Sequence, residues 1–268
     1  MQRLAGALRQ LAVEQADRLD ELRARARALE RPDFLWWALV QAASTWGSSR
    51  GAAGVEAPEN RRRLAYREVR ALSPRARTAH LRRVLGDAGV RWAPRKAGYL
   101  ARAVEQLEAL GGAAAARRAL LAQEGFEAKA RFLRRFPGVG PKYARDVLMD
   151  VYHPDARDRV ALDVRVLGVA KLLGLDFARA RYEVGERFFR DVAAAAALEA
   201  WAVDRLIFWF QDDVCARLRA GLEGGASNAA LTRRVLDLEA RLAALEARLG
   251  EAPGKGMGAA VNPTERHP

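Results

Sequence analysis

FPGVGPKYARDVLMDVYHPDARDRVALDVRVLGVA, running from Phe136 to Ala170, decides how the rest of the chain is read. Pro137-Gly138-Val139-Gly140 interrupts two segments of helical periodicity. Two glycines beside a proline supply positive φ and expose backbone NH groups that larger side chains would shield. Before the turn, Phe126, Ala130, Leu133 and Phe136 recur at three- and four-residue spacing; after it, Tyr143, Val147 and Val151, with Ala144 and Leu148, do the same. The spacing predicts helix, hairpin and helix over 126–152. Pro141 suits the first turn of the second helix, whose unsatisfied NH groups and positive dipole end favour a bound phosphate. Lys142 falls in that same turn, and His153-Pro154-Asp155 ends the helix.

Lysine is rare here: of 46 Lys plus Arg, only positions 96, 129, 142, 171 and 255 are lysine. A guanidinium stays protonated, whereas an amine can lose its proton when desolvated near other positive charge, so Lys142 is a candidate nucleophile. From its position alone, a solvated or phosphate-contacting lysine is the plainer reading. Further on, the apolar run Val160-Ala161-Leu162 ends in Asp163, just before the periodic Val164, Leu167, Val169 and Leu172. Asp163 is therefore expected to cap that helix, which suffices as a structural role. A capping carboxylate that faces a groove could also balance positive charge developing on a sugar ring.

Together these residues resemble the helix-hairpin-helix DNA glycosylases with a Gly-Pro-Asp element, a family that includes endonuclease III and the 8-oxoguanine glycosylases. The family hairpin reads L-P-G-V-G-x-K-x-A, against Phe136 to Ala144 here; its aspartate lies in a V-D-T-H-V-like segment, against Leu162-Asp163-Val164-Arg165-Val166. The resemblance implies that Lys142 is the Schiff-base lysine and Asp163 the essential carboxylate. It implies a two-lobed, all-α fold with the active-site groove between the lobes. It also implies a double-stranded DNA partner carrying a damaged base, with glycosylase and AP lyase activity. The NH groups of Gly138, Val139 and Gly140 would hold a backbone phosphate, with a sodium or potassium ion at the carbonyls of Pro137 and Val139 as an option. Arg134, Arg135 and Arg145 flank the hairpin and are the favoured phosphate contacts.

Upstream, Pro32 to Thr45 resembles the family's first long core helix, which ends at the groove in polar residues. Gln41, Ser44, Thr45 and the adjoining Trp46 are the candidates for the pocket or for the wedge that fills the vacated stack. Gly89 to Leu100 resembles the element in which a basic residue precedes the next core helix. Trp209 and Phe210, with Phe208, are candidates to stack on the base, although aromatics this dense in an apolar helix are more often core.

One cysteine, Cys215, cannot supply the four ligands of an iron-sulphur cluster and is read as a buried structural thiol. His80, His153 and His267 have no ligand spacing, so no metal cofactor is expected. The resemblance, with the cluster lacking and the lysine present, implies 8-oxoguanine as the excised base, since the family includes cluster-free lysine enzymes for it; oxidised pyrimidines are the alternative. A non-catalytic DNA-binding module or a scaffold are the rival classes, and the pairing of Lys142 with Asp163 argues against both.

The formal net charge of +13 permits a polyanionic partner without requiring one. Ala and Leu at helical spacing dominate, few β-branched runs alternate, and no apolar run reaches a membrane span, which predicts an all-α cytoplasmic, nucleoid-associated protein. The expected domains are a helical catalytic domain at 1–222, with the aspartate segment at 160–170, and a Gly-rich linker at 223–228. A heptad helix follows at 229–249, able to dimerise weakly or bind a partner, and then a disordered tail at 250–268.

Overall fold

Seven consecutive side chains, Phe34 to Val40, are buried in one helix, because the sequence FLWWALV is apolar on every face and has no side to offer water. The computed structural model describes residues 1–45, 50–177 and 180–220. Trp46, the linker, the heptad segment and the tail lie outside the described residues. The chain divides into two units, Met1–Leu218 and Arg219–Pro268.

Among the described residues fourteen α-helices carry the first unit: α1 (Gln2–Glu14), α2 (Ala16–Arg23), α3 (Phe34–Thr45), α4 (Arg50–Glu56), α5 (Pro58–Arg63), α6 (Tyr66–Arg70) and α7 (Pro74–Asp87). They continue with α8 (Ala93–Ala109), α9 (Ala113–Leu121), α10 (Gly125–Leu133), α11 (Pro141–Met149), α12 (Val164–Leu172), α13 (Tyr182–Ala196) and α14 (Ala200–Trp209). Short 3-10 turns cover Ala24–Glu30 and Pro154–Ala156, residues 211–220 are helical, and no strand occurs among the described residues. None of the described helices is long and apolar enough to cross a membrane.

Two lobes follow from which helices share apolar faces. In one, α3 packs on α4, α8 and α9, and α7 lies along α8. In the other, α13 and α14 pack on each other and on α1, and α12 packs on α14. The α10–α11 pair adjoins the first lobe through the packing of α11 on α3. The N-terminal segment, legible in sequence only as charged and helix-forming, buries Leu4, Leu8 and Leu11 completely or nearly so. Arg9 ties α1 down further by donating to the carbonyls of Ala195 (2.6 Å) and Ala196 (3.2 Å) at the end of α13. For all its charge, the segment is not peripheral: it closes the second lobe.

The hairpin between α10 and α11 forms as its sequence predicts, with one difference. Gly138 has φ +85°, and the Val139 NH closes the turn on the Phe136 carbonyl at 3.1 Å. A Cβ on Gly138 would stand 2.8 Å from the Tyr99 ring, so packing as well as φ requires glycine there. Gly140 is extended, at φ −85° and ψ −178°, with open space where a Cβ would be, so the expectation of positive φ at both glycines is corrected to Gly138 alone.

Candidate active site

Lys142 sits in the first turn of α11, and its Nζ lies 2.6 Å from Oδ2 of Asp146, one helical turn on. The i to i+4 interval puts both side chains on one face of the helix. Burial pulls the Lys142 ammonium down, but the charge and hydrogen bond of Asp146, with smaller help from Tyr143 and Asp163, outweigh it and hold the amine above its usual 10.5. The expectation that neighbouring positive charge activates this amine is thereby corrected: its surroundings are negative, and they keep it protonated in the free protein. Burial first, and then the Asp150 charge, push the Asp146 carboxyl from its ordinary 3.8 up to about 6, against the pull of Lys142 and Arg205.

Asp163 caps α12 as its position predicts. Its Oδ1 accepts from the NH groups of both Arg165 and Val166 at 2.9 Å, so the cap does not use Oδ2. The run before it is neither strand nor helix; side chains from α13 and α14 hold it by its backbone. The Val160 NH donates to Glu186 at 3.4 Å, the Ala161 NH to Asp204 at 2.7 Å, and the Leu162 NH to the Tyr182 hydroxyl at 2.9 Å, while that hydroxyl donates to the Val160 carbonyl at 3.1 Å. Asp204 in turn binds Arg205 at 2.5 Å, and Arg205 reaches Asp150 of α11 at 2.6 Å. One network from α14, buried at Asp204 and Arg205, therefore grips both the segment that presents Asp163 and the end of the helix that presents Lys142. Burial is the largest influence on Asp204 and raises its carboxyl pKa, whereas the carboxylates around Arg205 outweigh burial and raise the guanidinium. Sequence reasoning missed Asp146, Tyr182, Asp204 and Arg205. Asp146 alone left a signal there, the i+4 interval from Lys142.

Alongside lies a cavity of about 1030 Å³. Asp146 and Tyr143 of α11, with Asp150 at its end, form one wall, Gln41, Thr45 and Trp37 of α3 another, and Phe208, Trp209 and Phe210 a third. The three aromatics expected to be core more often than pocket therefore line the cavity, Trp209 with 44% of its surface exposed and the Arg18 guanidinium 4.6 Å from its ring centre. They do so because α14 ends there, and its apolar face runs out of neighbours. Gln41 lines the same space and donates to Glu56 at 2.9 Å.

Three further expectations are corrected. Arg145 is no surface phosphate contact: it is buried, 3.5 Å from Glu186, with Tyr182 4.2 Å from its guanidinium, because position 145 falls on the inward face of α11. Ser44 has no exposed surface and donates to the Gln41 carbonyl at 2.8 Å, so it can be neither wedge nor pocket contact. Val139 spends its NH within the turn and buries its side chain, which removes it from the phosphate cradle. Arg134 and Arg135 are exposed beside the hairpin. Cys215 is half-buried rather than buried. Lys96 and Lys129 are both buried, Lys129 against Asp155 at 2.8 Å, so rarity alone does not single out Lys142. Among the described residues no group of three or more His, Cys, Asp or Glu is arranged to hold a metal ion.

No protein-family model matches the sequence, and no curated protein matches it. Solved structures do match the fold. The 8-oxoguanine glycosylase/lyase of Methanocaldococcus jannaschii, in complex with a 15mer DNA containing 8-oxoguanine, superposes with a TM-score of 0.59 at 17% identity, covering 77% of this chain and 95% of that one. The 8-oxoguanine DNA glycosylase of Thermotoga maritima superposes with a TM-score of 0.59 at 20% identity, covering 77% and 94%. This chain has the fold of the 8-oxoguanine DNA glycosylases. The match spans nearly the whole of both relatives.

Proposed function

We propose that this protein is a base-excision DNA glycosylase with AP lyase activity that removes 8-oxoguanine through an imine on Lys142. The observation that carries the reading is the placement of an amine and a carboxylate at the starts of two helices, α11 and α12. The amine is hydrogen-bonded to Asp146, which forms part of the cavity wall, and the Asp163 carboxylate caps α12 with Oδ1 alone. The shared fold supports the same reading, since both solved relatives excise 8-oxoguanine.

The damaged nucleotide leaves the duplex and its base enters the cavity, where Trp209 and Phe210 offer faces for stacking. The start of α11 and its hairpin hold a backbone phosphate, with Arg134 and Arg135 beside it. As the bond between base and sugar lengthens, positive charge grows on the sugar and Asp163 Oδ2 is available to balance it. Lys142 Nζ bonds to the anomeric carbon, the base leaves with the electron pair of its glycosidic bond, and the resulting imine permits strand cleavage by β-elimination.

The test is sodium borohydride trapping on duplexes that each hold one lesion. A covalent protein–DNA adduct on 8-oxoguanine duplex, abolished by Lys142→Gln with DNA affinity held within a few-fold, is the expected result. An undiminished adduct from the variant moves the nucleophile elsewhere, and trapping on oxidised pyrimidines in preference to 8-oxoguanine changes the substrate.

A further inference from the structure

We propose that Asp146 is the proton acceptor for Lys142, and that it returns the proton to the departing base. The inference rests on the reading of Lys142 as nucleophile and adds a second acid–base group to that site. An amine held as ammonium has no lone pair, so a Lys142 nucleophile needs a group within hydrogen-bond reach that takes its proton. Asp146 Oδ2, at 2.6 Å, is within that reach, and the same carboxylate forms part of the cavity wall where the base would lie.

The other charged groups around Asp146 do not replace it. Asp150 lies one turn further on, capping the end of α11, and is engaged by Arg205 at 2.6 Å. Arg205, from α14, is itself spent on Asp204 and Asp150. From α3 the cavity wall presents Gln41 and Thr45, neither of which titrates, and from α12 it presents Arg165, which cannot accept a proton. Tyr143 and Asp163 contribute charge at Lys142, but the hydrogen bond from Nζ goes to Asp146, and Asp163 Oδ2 is the oxygen that faces the charge on the sugar. The Asp146 carboxyl, held at about 6 by burial and Asp150, is ionised at neutral pH yet far closer to accepting a proton than a surface aspartate.

Entry of the base and sugar expels water from the cavity. In the drier medium an ammonium–carboxylate pair loses solvation, and transfer of one proton from Nζ to Oδ2 yields a neutral amine and a neutral acid. The amine lone pair then forms the bond to the anomeric carbon, the glycosidic bond breaks, and its electron pair leaves on the base. Asp146 gives its proton to the base and is a carboxylate again. On the sugar the attached nitrogen passes a proton to the ring oxygen as that carbon–oxygen bond opens, which leaves the protonated imine. No other reactant is consumed up to that point.

Single-turnover trapping from about pH 5 to 9, on an abasic duplex and on an 8-oxoguanine duplex, tests this in the full-length chain with Asp146→Asn and Asp146→Glu. The wild-type rate falls as pH drops below about 6, where the carboxyl is protonated and cannot accept. Asp146→Asn is expected to be roughly 10²-fold slower at neutral pH, to lose that acid-side break, and to speed up steadily with pH as hydroxide takes over the proton. Asp146→Glu is expected to keep the break and regain part of the rate. An asparagine variant as fast as wild type, or one that retains the break, overturns the proposal, as does a folded glutamate variant without a break. If the asparagine variant fails to fold, as judged by its thermal midpoint, the glutamate variant decides. A wild-type chain that traps on neither duplex overturns the nucleophile reading and this proposal with it, whereas trapping with unaltered Asp146→Asn kinetics overturns this proposal alone.

Discussion

Asp163 caps α12, and the proposed function gives it a second duty that one substitution can separate from the first. Both cap hydrogen bonds end on Oδ1, and an asparagine keeps a carbonyl oxygen in that place. Asp163→Asn should therefore change the free energy of unfolding by less than about 1 kcal/mol. Losing the charge should slow base release by roughly 10² to 10³, the scale seen when one preorganised electrostatic partner is removed from a reacting centre. Denaturant unfolding and single-turnover excision, measured on the same preparation, check the two halves; a normal excision rate would leave Asp163 as a cap only. At Lys142 the free protein shows the resting state of an amine, charged and paired. A side chain's type suggested a chemistry at both positions, but the charge state of Lys142 depends on neighbours that only folding assembles.

At the scale of elements the hairpin gives the sharpest contrast. Gly138 and Gly140 are two residues apart and look equivalent as letters, yet one has φ +85° against the Tyr99 ring and the other is extended with open space around it. Gly138→Ala should destabilise by more than about 1 kcal/mol, since an L side chain in the left-handed region costs that much before the clash is counted. Gly140→Ala should be neutral or stabilising by up to about 1 kcal/mol, because it restricts the unfolded chain at little cost to the native one. Thermal midpoints of the two variants decide it, and equal losses would mean that the turn does not distinguish the glycines as described. The 160–162 run makes a related point: its apolar residues could have read as a short strand, but Glu186, Asp204 and Tyr182 take the NH groups that a sheet would have used.

The cavity is lined from α3 in one lobe, from α12 and α14 in the other and from α11, so that no single lobe contains it. Every described element lies before residue 221, and a chain ending at Gly221 retains Lys142, Asp146, Asp163 and the cavity lining. We expect that truncation to keep the thermal midpoint and the single-turnover trapping rate of the full chain. A fall in both would make residues 222–249 part of the catalytic body, with each leucine newly exposed worth about 2 kcal/mol. The net charge of +13 predicts DNA affinity that drops steeply with salt in either form.

By itself the sequence determined the helical class, the hairpin and the cap at Asp163. These depend on periodicities of a few residues and on backbone preferences that each residue carries with it. The inward turn of Arg145 and the burial of Ser44 escaped it, because which face of a helix meets a neighbour depends on where that neighbour packs. The closure of the second lobe by α1 and the exposure of Trp209 at the end of α14 were hidden for the same reason. The Asp204–Arg205–Asp150 network joins positions more than fifty residues apart, and charges brought together at that separation are fixed by tertiary contact alone. Local rules chose the elements and their chemistry; long-range burial decided which of those groups share a cavity and which proton each one holds.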